Sequence, residues 1–240
     1  MAQKTNRGFT LVEIAIVLVI IGLLLGGILK GQEMITQAKI KNVMADFSGI
    51  SAAYHGYQDR YRTLPGDDPG AGRWTSPAGV VAGNGNGVVH GTYNQSCAAP
   101  GTTSGTNETC FFWDHLRRAG FVSGSGVLQP FNSLTGLIGI QTGDGAGAPA
   151  GTGIGPVLGG ASGVGGFTGL VMCSANMPDK IAIAVDTQMD DGVRATGNVR
   201  GQLQAAPNPA AAVDATAAAA GGTNSYLETG TNTYTLCRAL

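Results

Sequence analysis

Charge is what this sequence has least of. Asp, Glu, Lys and Arg make up 12% of its 240 residues, roughly half of the ~25% usual in soluble domains. Neither sign prevails: 14 Lys and Arg against 15 Asp and Glu leave a formal net charge of −1. A nucleic-acid binder needs a clustered basic face, and a chain kept open by self-repulsion needs a large net charge. Neither description fits, and 43% hydrophobic residues suffice to bury a core. The three histidines, His55, His90 and His115, lack a short metal-ligand spacing. The cysteines form no C-x-x-C pair, which removes the common zinc frameworks. There is no Gly-x-Ser-x-Gly elbow, the nucleophile turn of α/β-hydrolases, and the chain is not expected to be an enzyme. Glycine is abundant, 40 residues, but without the strict every-third repeat that collagen requires.

What the chain has instead begins at its N-terminus. An apolar run extends from Phe9 to Leu29, which as a helix spans about 31 Å and matches a hydrocarbon core of about 30 Å. Lys4 and Arg7 precede it with no acid among them, so the N-terminus is expected to stay cytoplasmic while the rest crosses. A secretory signal peptide would have a shorter apolar stretch followed by a small-residue cleavage site. Here the small residue, Gly8, precedes the run. Glu13 is the anomaly, an ionisable side chain four residues into an otherwise apolar span. A carboxylate there either snorkels to the head groups or serves a function that supplies a cation at the same depth.

Lys4 through Gly22, with the core Gly8-Phe-Thr-Leu-Val-Glu13, resembles the N-terminal signature of type IV prepilins and of type II secretion pseudopilins. The resemblance implies that a membrane-bound prepilin peptidase cuts between Gly8 and Phe9 and N-methylates Phe9. It implies that Glu13 pairs with a neighbouring subunit's N-terminus during filament assembly, and that Gly22 marks a place where the helix can locally unwind. Many pilins have a Pro later in the run. This chain reads Gly26-Gly27-Ile28-Leu29-Lys30-Gly31 instead, so any melting would rest on glycines, each weakening a helix by about 1 kcal/mol relative to Ala. The implied partners are the peptidase, copies of the chain or other pilins in a helical filament, and the bacterial inner membrane before assembly. The implied destination is a cell-surface pilus or a periplasmic pseudopilus. A ligand-binding or enzymatic domain on a single-pass anchor is a rival reading. It explains the span but not Glu13 or the Gly8-Phe9 junction.

The expected fold is α+β: a leader over 1–8, a spine helix over 9–62 with its transmembrane part at 9–29, and an extracytoplasmic head over 63–240 built on a small antiparallel sheet with long Gly-rich loops. Beyond Lys30 the pattern becomes amphipathic. Ile40, Val43, Phe47, Ile50, Tyr54, Tyr57 and Tyr61 alternate steps of three and four, one stripe that should pack on the head. Leu64-Pro65-Gly66-Asp67-Asp68-Pro69 should end the helix near Arg62. Phe111–Ala119 reads as a short helix. Leu170–Cys173, Ile181–Asp186, Val193–Val199 and Tyr234–Cys237 read as strands. Gly83-Asn-Gly-Asn-Gly87 followed by Val88-Val89 reads as a turn entering a strand. It lacks the Lys-Ser/Thr ending of a phosphate loop. Thr135–Gly169 and Ala205–Gly222 are low in complexity and read as surface loops.

Four cysteines, Cys97, Cys110, Cys173 and Cys237, in an oxidising compartment should form two disulfides, with three pairings open. The expected pairs are Cys97–Cys110, which would staple a short polar loop, and Cys173–Cys237. The second would tie the C-terminus to the sheet, as a C-terminal disulfide loop does in many pilins. Asp186, Asp190 and Asp191, before Gly192, are the candidate metal ligands. Carboxylates in a turn suit Ca²⁺, and certain pseudopilins bind calcium near their C-terminus. Against this, the spacing departs from the EF-hand loop, and Asp-Gly is a favoured hairpin turn in its own right. No other cofactor is expected.

Overall fold

The computed structural model describes residues 10–74, 80–97, 107–143, 157–159, 165–204, 213 and 224–240. The chain divides into two compact units, Met1–Lys39 and Ile40–Leu240. A single helix, α1 (Leu11–Tyr61), contributes to both. In the first unit, no described residue is buried. Leu11–Leu29 holds its apolar side chains exposed, and no carboxylate or cation follows Glu13 until Lys30.

In the second unit the same helix behaves differently. Ile40, Val43, Phe47, Tyr54 and Tyr57 are buried, and Ile50 and Tyr61 pack against them half-buried. The stripe is therefore a core-facing seam. The helix stops at Tyr61 because Arg62 turns left-handed at φ 58°, a role that glycine fills more cheaply.

The seam packs on a four-stranded antiparallel sheet in the order β1-β2-β4-β3: β1 (Ile138–Thr142), β2 (Leu170–Pro178), β3 (Val199–Gln204) and β4 (Thr233–Ala239). Along β2, Met172 and Met177 join the core under α1, while Val171, Cys173 and Ala175 face a second cluster with Tyr93, Val157 and Phe167. Positions 172 and 177 would fall on opposite faces of a regular strand, where side chains alternate. A bulge between Ser174 and Met177 restores the face; Asn176 adopts φ 60° within it, and the extra residue re-aims the side chains that follow.

Two further helices complete this unit. In α2 (Glu108–Arg118), Phe112, Trp113 and Leu116 enter the core. Arg117 and Arg118 sit at its C-terminal end, where the helix dipole favours cations, and Gly120 at φ 80° closes it. The other helix, α3 (Asp179–Met189), corrects the strand expected over Ile181–Asp186. The Ile-Ala-Ile-Ala-Val alternation suggested period two, but Ala fits either face. What is buried is Ile181, Ala182, Val185 and Asp186, a helical spacing.

Three other expectations shift. The strand expected at Val193–Val199 begins only at Val199, because the preceding residues turn around Asp190 and Gly197. The low-complexity stretch Thr135–Gly169 contains β1. Gly139 there is not a loop residue: a side chain would overlap the Tyr93 carbonyl, which crosses it. Val88-Val89 forms no strand; the Val89 N–H donates instead to Thr142 Oγ1 at 2.9 Å. Ala205–Gly222 lies outside the described residues except for buried Val213.

Candidate functional site

The first turn of α1 is closed by its own side chains. Thr10 precedes the helix, and its N–H and Oγ1 both donate to Glu13 Oε2 at 2.8 Å, while the Glu13 N–H donates back to Thr10 Oγ1 at 3.3 Å. This is a reciprocal capping box, which satisfies helix N–H groups that otherwise have no partner. The Thr10-Leu-Val-Glu13 spacing carried that signal, but Glu13 read only as an intramembrane acid conceals it. The cap orients the carboxylate at the very start of the apolar run. Gly8 and Phe9 lie outside the described residues. From Leu11 onward the helix holds a window long and apolar enough to cross a bilayer, and none of that window is buried.

Residues 3–29 match the family model described as the prokaryotic N-terminal methylation motif. The chain carries a prepilin-type signal. Such signals mark type IV pilins and pseudopilins, and they go with structural subunits rather than enzymes. No curated protein and no solved structure matches the chain. Gly22, Gly26 and Gly27 within the prepilin-type segment, and Gly31 just beyond it, have nothing within 4 Å of where a side chain would stand, so no contact among the described residues requires glycine there.

In the head the cysteines pair as Cys97–Cys110, 13 residues apart, and Cys173–Cys237, 64 apart. The second links β2 to β4 at directly opposed positions. On loop-entropy grounds, closures of this size contribute roughly 3 to 4.5 kcal/mol each.

Asp186, Asp190 and Asp191 come together at the end of α3, with carboxylate oxygens within 4.8 Å of one another. Each is already engaged. Asp186 accepts from Tyr226 Oη at 2.6 Å and from the Gly192 N–H; Asp190 accepts from the Asn198 and Val199 N–H groups; Asp191 accepts from the Val193 N–H and from Thr196 Oγ1. Burial first, then the neighbouring Asp191 and Asp190 charges, push the Asp186 carboxyl up to about 6. The donor set is chemically suited to a hard cation, yet the protein supplies six hydrogen bonds to these three carboxylates.

Two further polar clusters had no signal in the sequence beyond turn formers. Asp67 is 3% exposed, and its carboxylate is wrapped by Gly83–Gly87: Oδ1 accepts from the Gly85 and Asn86 N–H groups at 2.6 and 3.3 Å, and Oδ2 from Gly87 at 2.6 Å. Successive N–H groups converging on an anion form a nest; here the anion belongs to the chain. Asp68 beside it is fully buried and takes hydrogen bonds from Tyr57 Oη at 2.5 Å, from Arg73 at 2.7 Å and from the Gly70 N–H. Desolvation works against its charge, but the bonds from Arg73, Tyr57 and Gly70 outweigh it and hold the carboxyl below its ordinary value. His115 is buried; its Nδ1 accepts from the Gly66 N–H at 2.9 Å. The ring is therefore the neutral tautomer that donates from Nε2 to the Val81 carbonyl at 3.0 Å. Burial holds its pKa below the usual histidine value.

Proposed function

We propose that the chain is a structural subunit of a type IV pilus-like filament, cut between Gly8 and Phe9 by a membrane-bound prepilin peptidase and assembled through its N-terminal helix. The observation that carries this reading is a prepilin-type signal at residues 3–29 leading into a helix whose apolar side chains from Leu11 to Leu29 are exposed. Before assembly that surface faces lipid, with the N-terminus, Lys4 and Arg7 on the cytoplasmic side and the head outside. In the filament the same surface packs on like helices. The exchange is feasible because both environments are apolar, and van der Waals packing between helices then replaces contacts with lipid chains.

Glu13 sets the axial register in this reading. Its carboxylate, already directed by Thr10, pairs with the methylated amine of Phe9 in a neighbouring subunit. A charge pair in an apolar surrounding strengthens as solvent is excluded, and an unpaired carboxylate there is costly. The Glu13→Ala chain should be processed normally and should assemble poorly. Filaments of ordinary abundance from that variant would remove the pairing role.

The same signal also suits a pseudopilin of a type II secretion system, whose short filament works within the periplasm. Mass spectrometry of sheared surface filaments distinguishes the two: abundance there indicates a pilus subunit, and retention in the envelope indicates a pseudopilin. We read the Asp186–Asp191 turn as complete without an ion, because the protein's own donors hold each carboxylate; a calcium site is the alternative.

A further inference from the structure

The sequence contains two Asn-Gly pairs, Asn84-Gly85 and Asn86-Gly87, side by side, and the structure repeats the same two contacts at both, while Asn86 also places its Nδ2 2.9 Å from His90 Nε2. In each, the glycine N–H donates to an oxygen of Asp67: Gly85 to Oδ1 and Gly87 to Oδ2, both at 2.6 Å. In each, the asparagine side-chain oxygen accepts from the N–H two residues on: Asn84 Oδ1 from Asn86 at 3.0 Å, and Asn86 Oδ1 from Val88 at 2.9 Å. Residues 84–87 are exposed to water, while Asp67 is buried beneath them. Gly85 and Gly87 carry no Cβ that would shield the backbone nitrogen, and both adopt positive φ, 76° and 85°, which glycine reaches without steric cost.

We propose that this loop is a self-modification site, at which Asn84 and Asn86 deamidate with Asp67 as the general base. The glycine nitrogen attacks the asparagine Cγ as its proton passes to Asp67. Negative charge develops on the asparagine Oδ1, where a backbone N–H already points; such a donor is the means by which oxyanions are stabilised. Asp67 returns the proton to the departing amino group, the Cγ–Nδ2 bond breaks, and ammonia leaves a five-membered succinimide. Water then opens the ring at either carbonyl to give aspartate or isoaspartate, without any oxidant or cofactor. Conversion places a new carboxylate in the loop that wraps Asp67, where like charges repel. Isoaspartate also lengthens the backbone by one carbon in a loop whose N–H groups converge on one side chain. The nest therefore loosens as the subunit ages, whatever assembly it belongs to.

The full chain in detergent, incubated at neutral pH and digested for peptide mass analysis, tests this. Asn84 and Asn86 are expected to convert at least about tenfold faster in the folded chain than in the same chain held unfolded in guanidinium. Asp67→Asn, with its melting temperature checked, is expected to slow the folded-state conversion by about 10²-fold, the lower range for loss of a general base. Slower conversion in the folded chain than in the unfolded one overturns the proposal, because Asp67 then protects the loop. An unchanged or faster rate in folded Asp67→Asn overturns it too. If that variant does not fold, the folded-against-unfolded comparison on the unaltered chain decides alone.

Discussion

The two parts of α1 are the same kind of helix with opposite relations to the rest of the chain. From Ile40 to Tyr61 the apolar residues recur as one stripe, and that stripe is buried against Phe112, Trp113 and the sheet. From Leu11 to Leu29 they cover every side of the helix, and none is buried. A helix that is apolar all round has to be surrounded by something apolar, and the described residues of this chain leave it exposed. The stripe is written for the chain's own core. The uniform run is written for apolar surroundings outside it, which on the proposed function are first lipid and then neighbouring copies.

The sharpest way to break that comparison is at the junction that releases the helix for assembly. Gly8→Val is expected to abolish processing, leaving a full-length chain in membrane extracts by intact mass; a normally shortened product would remove the prepilin assignment. Next in size is a matched pair of truncations within α1. Phe47→Ala should cost the head about 3–5 kcal/mol, as large-to-small changes in a filled core do. Leu18→Ala, in the exposed run, should leave the head's stability within about 0.5 kcal/mol while weakening assembly. Denaturant melts of both variants check this, and equal losses would mean that the two parts are not differently employed.

A smaller effect concerns pH. His115 is neutral in the fold with its pKa depressed by burial, so its contribution to stability is complete above the unfolded value of about 6.5 and is lost as pH falls through the lower folded value. Asp186, raised to about 6, acts in the opposite sense between about 4 and 6, because the folded state there binds more protons than the unfolded one. Melting temperatures of the unaltered chain and His115→Gln, compared from pH 7 to pH 5, isolate the histidine: the gap between them should narrow as pH falls. A gap that widens would contradict the neutral, hydrogen-bonded ring. Smallest of all is the expected response to Ca²⁺, a shift in melting temperature below about 2 °C. A one-site ligand at a hundredfold excess over its dissociation constant stabilises by about 2.7 kcal/mol, so a shift of several degrees at millimolar Ca²⁺ would identify a metal site at Asp186, Asp190 and Asp191.

How much of this was legible in the sequence follows from how local each signal is. The apolar run, the Tyr54-Tyr57-Tyr61 spacing and the breaker at Pro65 are contiguous patterns, and the helix they describe ends within one residue of its expected boundary. The sheet was partly legible: β2 was anticipated over its first four residues and β4 over its centre. β1 was hidden because Gly139 looks like punctuation while the reason for it, the Tyr93 backbone, lies 46 residues earlier in the chain. The run Ile181–Asp186 was misread because alternating alanines satisfy two periodicities, and only burial chooses between them. The nest around Asp67 was illegible for the same physical reason as β1: its donors come from residues 18 to 20 positions away. At the candidate site, Glu13 was conspicuous as a charge in an apolar run, while Thr10, its hydrogen-bonding partner, drew no notice as an ordinary polar residue.

Intact-mass and N-terminal sequence determination on the chain extracted from its native envelope, and from any sheared filaments, tests the central claim most directly. The account predicts a chain that begins at N-methylated Phe9, with residues 1–8 gone. A chain that still begins at Met1, or one cut C-terminal to the apolar run as a secreted protein would be, would contradict it.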